Sequence, residues 1–271
     1  MRIYNSASSH RAATLVKKGH AMTAPGYLPY IVLAANVGII AAVLLGLNAA
    51  LKRATWPERE HKSAIQMAAA VLVGWFLIAV LLASSEAYRG LPDRLPTIQF
   101  GLLVPIVVGA ILIWRSPLVS RLIDAVPQHW IVAVEFYRVL GVIFLALYAS
   151  SQLPGWFALP SGIGDVAVGL AAPFVARAYA GDPQRHGVSV LVWNLFGLAD
   201  LIVAVAMGFL TSPSPLQLFA LDRPNELLTA FPLVLIPTFA VPVSVLLHLA
   251  SLTKLARGIA PIRSGSTAPA H

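Results

Sequence analysis

Seven long apolar runs constrain this chain more than any other feature. The first, "LPYIVLAANVGIIAAVLLGLNAA" (28–50), has no charged residue. An α-helix rises about 1.5 Å per residue, so about 20 apolar residues cross the roughly 30 Å hydrocarbon core of a bilayer. Six more runs of this kind cover 64–84, 97–114, 129–149, 162–180, 188–210 and 231–253, the third being short and polar at its start. None alternates polar and apolar residues in the manner of a transmembrane barrel strand. Lipid offers the backbone no hydrogen-bond partner, so each run is expected to close its own bonds as a helix. The sequence predicts an all-α, polytopic membrane helical bundle of about seven transmembrane helices.

Charge agrees with this reading. Charged residues make up 11% of the chain and hydrophobic ones 58%, against about 25% charged in a soluble domain. There is no cysteine, which excludes disulfides, thiolate nucleophiles, iron–sulfur clusters and cysteine-ligated zinc. The net charge of +8 is read as loops drawn to the anionic inner face of a membrane. No nucleic-acid-binding motif accompanies it. The expected partner is therefore the lipid bilayer and not nucleic acid, with a homo-oligomer or a further membrane partner left open.

Lysine and arginine in the loops set the orientation. Lys52, Arg53, Arg59, Lys62, Arg115, Arg121, Arg177, Arg185, Lys254, Arg257 and Arg263 follow odd-numbered runs, whereas Arg89, Arg94 and Arg223 follow even-numbered ones. Eleven against three predicts a cytoplasmic C-terminus, in the inner (plasma) membrane of a bacterium. The N-terminal tail, 1–22, opposes this with Arg2, Arg11, Lys17 and Lys18. Met22 as an alternative start removes the conflict. A signal peptide fits less well, because the run from Leu28 to Leu47 exceeds the usual 7–15-residue apolar region. The expected organisation is a basic tail (1–22), one transmembrane helical domain (23–257) and a disordered C-terminal tail (258–271). The longest connection, 211–230, is expected either as a plain loop or as a short helix along the outer interface.

Ionisable residues at bilayer depth cost about 2.5–3.5 kcal/mol each on insertion scales and mark candidate functional positions. They are Glu135 and Arg138 in the fourth run, Asp165 in the fifth, Asp200 in the sixth and His248 in the seventh. His129 opens the fourth run, and Asn36 and Asn194 add uncharged polarity. Glu135 and Arg138 are three apart and share a helix face, so their simplest role is a mutual ion pair. Arg138 turning toward Asp200 is the alternative. Three carboxylates face one arginine. A surplus acid therefore stays protonated, binds a cation, pairs with a charged His248 or meets water. Asp165 follows Ser161 and Pro160 and has an ordinary explanation, a place in the first turn of a helix whose dipole favours an acid. Asp200, with Gly197 and Asn194 nearby, has none and is the leading candidate. From the orientation, these residues are expected to spread over most of the membrane thickness.

Pro237 and Pro242 interrupt the seventh run and free the carbonyls of Leu233 and Thr238. A faint echo also links "GIGDVAVGLAAPF" (162–174) to "GLADLIVAVAMGF" (197–209), with an acid similarly placed in each.

The preferred functional expectation is transport or permeation of a proton, cation or small solute through a buried polar site, with no catalytic residue and no cofactor. Asp200, Asn194, Glu135, Arg138, Asp165 and His248 form that site. "GIGD" (162–165) resembles the Gly-x-Gly-Asp motif of intramembrane aspartyl proteases. That resemblance implies an aspartyl hydrolase with Asp165 and Asp200 as a proton-sharing pair. In that family the second aspartate precedes the motif, whereas Asp200 follows it, and a Pro-Ala-Leu motif is absent. A b-type haem held by His129 and His248 is a further alternative, as is a structural or regulatory membrane protein without chemistry. A retinal protein is rejected, because no lysine lies within any of the seven runs; Lys254 stands just past the end of the seventh.

Overall fold

The computed structural model describes residues 25–259. The helices are α1 (Leu28–Arg53), α2 (Glu58–Ser84), α3 (Ile98–Arg115), α4 (Pro117–Ala125), α5 (Gln128–Val134), α6 (Val142–Ala149), α7 (Gly155–Gly181), α8 (Pro183–Thr211) and α9 (Val241–Ile259). A 3₁₀ segment, Glu135–Gly141, joins α5 to α6, and a π-helical turn, Ile236–Ala240, leads into α9. Among the described residues, seven helical spans are long and apolar enough to cross a membrane: α1, α2, α3, Gln128–Ala149, α7, α8 and Ile236–Gly258. The expectations for residues 1–22, including Met22 as a start, and for the tail from 260 onward lie outside the described residues.

Large apolar side chains such as Leu81, Phe174, Val188 and Ile202 point outward, as a lipid-facing surface requires. The interior is built from Leu28, Val32, Phe144, Leu147, Leu235 and Phe239. Trp75 packs on Phe239 with ring centroids 4.7 Å apart. α7 packs along α8 and across the 3₁₀ segment, and α9 packs against α3 and α8. Small residues at these contacts let the backbones approach.

The loops that follow odd-numbered spans gather at one end. Arg121 bonds Glu60 at 2.9 Å and lies over the Trp56 ring. Lys254 donates to the carbonyls of Ile123 and Asp124, and Arg257 pairs with Asp124 at 3.0 Å. This end includes α4, a helix where the sequence suggested only a loop. Its N-cap is Ser116, whose hydroxyl accepts from the Val119 N–H at 3.3 Å. At the other end, the backbone N–H of Gly90 donates to the Thr229 hydroxyl at 3.1 Å. The 211–230 connection is largely irregular, with one 3₁₀ turn at Leu227–Thr229. It folds inward, burying Ser212, Ser214, Asn225 and Leu228.

Two departures from straight α-helix shape the interior. The π turn contains Pro237, so the expected disturbance of the seventh span lies there. The 3₁₀ segment in the middle of the fourth span was not anticipated from sequence. It is more tightly wound than an α-helix and carries both Glu135 and Arg138.

Candidate functional site

Arg138 is the hub of a buried polar cluster. Its Nε donates to Asp165 Oδ1 at 2.8 Å, and its Nη2 donates to Asp200 Oδ2. Its Nη1 donates to the Gly197 carbonyl at 3.3 Å and lies 3.2 Å from His248 Nε2. A guanidinium has five N–H donors and no acceptor, so four of the five are engaged. Because it cannot accept, the His248 nitrogen facing it must be unprotonated. The other imidazole nitrogen, Nδ1, lies 2.9 Å from Asn194 Oδ1. The Asn194 amide nitrogen donates to the Val190 carbonyl at 2.8 Å and to Ser251 Oγ at 2.9 Å. Its oxygen is therefore an acceptor, and His248 is a neutral imidazole with the proton on Nδ1.

This geometry corrects several sequence expectations. Glu135 is not the partner of Arg138. Its Oε2 takes a hydrogen bond from Ser244, lies 4.0 Å from His248 Nε2, and its Oε1 is buried without a partner. The long Arg138 side chain instead reaches the α7–α8 pair, where two carboxylates wait. Asp165 is not in a first helical turn. α7 begins at Gly155 with Pro154 as its N-cap, so the acid sits about three turns inside and the helix dipole does not explain it. His248 is not a charged partner for a surplus acid. Asp165 and Asp200, the pair named by the aspartyl-protease resemblance, are not hydrogen-bonded to each other among the described residues; each takes an N–H from the guanidinium between them. Both nitrogens of His248 are engaged within the protein, and His129 lies beside Trp130, so the two histidines are not disposed as a haem pair. Of the polar residues, Asp165, Asp200 and His248 converge on Arg138, with Asn194 one step further, whereas Asn36 and His129 make no hydrogen bond to it.

The backbone explains the convergence. α7 and α8 form an antiparallel hairpin about Asp182, with Asp165 seventeen residues before it and Asp200 eighteen after it. Both acids therefore lie about 26 Å from the hairpin at 1.5 Å per residue. Glycines make the approach possible. A Cβ on Gly164 would collide with the Asp200 carboxylate, and one on Gly141 with the Asp165 side chain. A Cβ on Gly197 would sit 2.5 Å from His248 Cε1.

The cluster continues away from the acids. Gln128 Nε2 donates to Ser251 Oγ at 2.6 Å, so a hydrogen-bonded line runs Asp165–Arg138–His248–Asn194–Ser251–Gln128. Trp193 packs on His248, with centroids 5.0 Å apart, and donates to the Val168 carbonyl at 3.2 Å. Sequence reasoning missed Ser244, Ser251, Gln128 and Tyr137. The spacing of Ser244, His248 and Ser251, four and then three residues, put all three on one helix face and was the available signal.

Two cavities meet at the cluster. One, of about 70 Å³, lies among α1, the 3₁₀ segment and the start of α9, and is lined in part by Asn36, Tyr137, Arg138, Asp165 and Ser244. The other, of about 50 Å³, is almost wholly apolar and extends to the loops at Gly90, Pro213 and Thr229. Asp165 lines both, and Asp200 lines neither. Among the described residues, no three His, Cys, Asp or Glu side chains are grouped to hold a metal ion.

Residues 95–256 match a family model described as "Domain of unknown function (DUF8737)". The matched stretch spans α3 through most of α9 and contains Glu135, Arg138, Asp165, Asn194, Asp200, Ser244, His248 and Ser251. No curated protein and no solved structure matches the chain.

Proposed function

The chain belongs to the DUF8737 family, whose matched stretch holds the whole Arg138 cluster, and on that footing we propose that it moves a proton or a small cation across the membrane through a site centred on Asp165. The observation that carries this reading is the position of Asp165. It is the one carboxylate of the cluster that lines both cavities, while its Oδ1 is fixed by Arg138.

The charge count supports it. Asp165 and Asp200 face one guanidinium, and His248 is neutral by its hydrogen bonds, so two ionised aspartates leave one negative charge uncompensated even before the buried Glu135 is counted. A buried uncompensated charge is costly, and uptake of a proton or a cation removes it. Asp200 serves this reading as an anchor that holds Arg138 in place. The line from Asp165 to Gln128 cannot relay protons, because neither a guanidinium nor an amide releases one readily. It acts as a polar seam closing the bundle on that side, so passage requires the seam to shift. The reading is non-enzymatic and needs no cofactor. The distribution of basic residues supports an inner-membrane location with the α9 end in the cytoplasm.

The test is reconstitution of the full chain in proteoliposomes carrying an entrapped pH-sensitive dye, with imposed proton and cation gradients. Wild-type protein is expected to dissipate a gradient, and Asp165→Asn to lower that rate at least about tenfold while its far-UV circular dichroism is unchanged. Wild-type flux equal to that of empty liposomes under every gradient refutes the proposal, as does an Asp165→Asn rate equal to wild type.

A further inference from the structure

The cavity among α1, the 3₁₀ segment and the start of α9 has a chemical bias that narrows the cargo. Asn36 lines it and is fully enclosed. Its Nδ2 donates to the Val32 carbonyl at 2.7 Å, which leaves its buried Oδ1 without a partner. Asp165 presents a second oxygen, Oδ2, that no hydrogen bond reaches among the described residues, since Arg138 holds only Oδ1. The Tyr137 hydroxyl donates to the Ala240 carbonyl at 3.3 Å, and the Ser244 hydroxyl donates to Glu135. Each hydroxyl oxygen keeps lone pairs. Arg138 also borders the cavity, but four of its donors are already committed to Asp165, Asp200, Gly197 and His248. Apart from the fifth N–H of Arg138, the functional groups left over are acceptors. They come from α1, the 3₁₀ segment, α7 and α9, and the rest of the wall is apolar, including Ile39, Phe144, Leu201 and Ile236.

Within the transport reading, on which this inference rests, we infer that this cavity is a binding site for a small protonated amine. An ammonium group has three N–H donors, and Asn36 Oδ1, Asp165 Oδ2 and a hydroxyl oxygen of Tyr137 or Ser244 supply three acceptors. The apolar wall suits a short alkyl group, which a bare metal ion does not have. Hard cations favour six or more surrounding oxygens, and a wall this apolar does not offer them. The size agrees. A water needs about 10–15 Å³ of such space, so about 70 Å³ admits a handful of heavy atoms and excludes a bulky solute. The uncompensated negative charge at Asp165 and Asp200 supplies the electrostatic preference for a cation.

The experiment is isothermal titration calorimetry of the full chain in lipid nanodiscs, using methylammonium chloride and, separately, sodium chloride at matched ionic strength. Methylammonium is expected to saturate one site per chain, with sodium failing to compete. Asn36→Leu removes the unpartnered acceptor and is expected to weaken binding at least about tenfold, the loss of one charge-assisted hydrogen bond. Ala35→Leu fills the same cavity from its α1 wall without touching the polar groups and is expected to do the same. It keeps the inference falsifiable if Asn36→Leu does not fold. Undiminished methylammonium affinity in a folded Asn36→Leu or Ala35→Leu protein overturns the assignment. So does saturable sodium binding that excludes methylammonium, or the absence of saturable methylammonium binding. In these cases an Asp165-dependent gradient dissipation in proteoliposomes still upholds the transport reading, so the two failures are separable.

Discussion

Replacing Arg138 with methionine removes the only basic group that, among the described residues, pairs with Asp165 and Asp200. The two side chains are 15% and 6% exposed and the arginine 2%, so solvent does little to screen the loss. Removing one partner of a buried ion pair costs about 3–5 kcal/mol, because it leaves an uncompensated buried charge. Arg138 holds two such partners, but the costs do not add. Two carboxylates left side by side can share one proton instead of both remaining ionised. The expected loss for Arg138→Met is therefore about 3–5 kcal/mol and not twice that. The triple variant Arg138→Met, Asp165→Asn, Asp200→Asn removes the arginine together with both carboxylates that it pairs with and leaves Glu135 in place. Replacing every member of a buried ion-pair triad is often close to neutral in stability, so this variant is expected within about 2 kcal/mol of wild type. Reversible unfolding in mixed micelles, followed by tryptophan fluorescence, measures both. A single Arg138→Met variant that loses less than about 1 kcal/mol, the worth of an exposed pair, refutes the view of Arg138 as the charge hub. A triple variant no more stable than the single one refutes the electrostatic cause.

Gly164→Ala is expected to cost about 1–3 kcal/mol by overpacking, because its new methyl group lands on the Asp200 carboxylate. Gly74→Ala, where nothing lies within 4 Å, is expected to be neutral or slightly stabilising through helix propensity, and paired melting curves compare the two. His248→Phe leaves an Arg138 N–H and Asn194 Oδ1 without their partner, at about 1–3 kcal/mol for each buried group left unsatisfied. Its unfolding midpoint should fall, and Asn194→Leu added to it should cost less than Asn194→Leu alone.

The membrane spans were legible because burial in lipid is written one residue at a time. Leu28–Arg53 and Pro183–Thr211 announce themselves by apolar length alone. The shared level of Asp165 and Asp200 was missed, because the late start assigned to the fifth span put Asp165 near the outer interface; counted from the hairpin at Asp182 the two are nearly equidistant, and helix rise is constant. The faint echo between "GIGD" and "GLAD" follows that level. Glu135 and Arg138 were a different matter. Their spacing of three suggested a pair, yet the 3₁₀ winding of Glu135–Gly141 and the length of the arginine side chain carried the guanidinium to another helix pair. Asp165 was misread because the helix start was placed at Ser161, whereas α7 starts six residues earlier at Gly155.

The sequence alone determined where the seven helices long and apolar enough to cross a membrane lie among the described residues, and which side chains are too polar to face lipid. These are matters of solvent partition, and each residue carries its own share. Only the tertiary structure decided which carboxylates meet Arg138, that His248 is neutral, and that Asp165 rather than Asp200 borders the cavities. Those facts depend on how each helix is rotated about its axis against its neighbours. The rotation is set by contacts such as Gly164 against Asp200 and Gly197 against His248, between residues far apart along the chain.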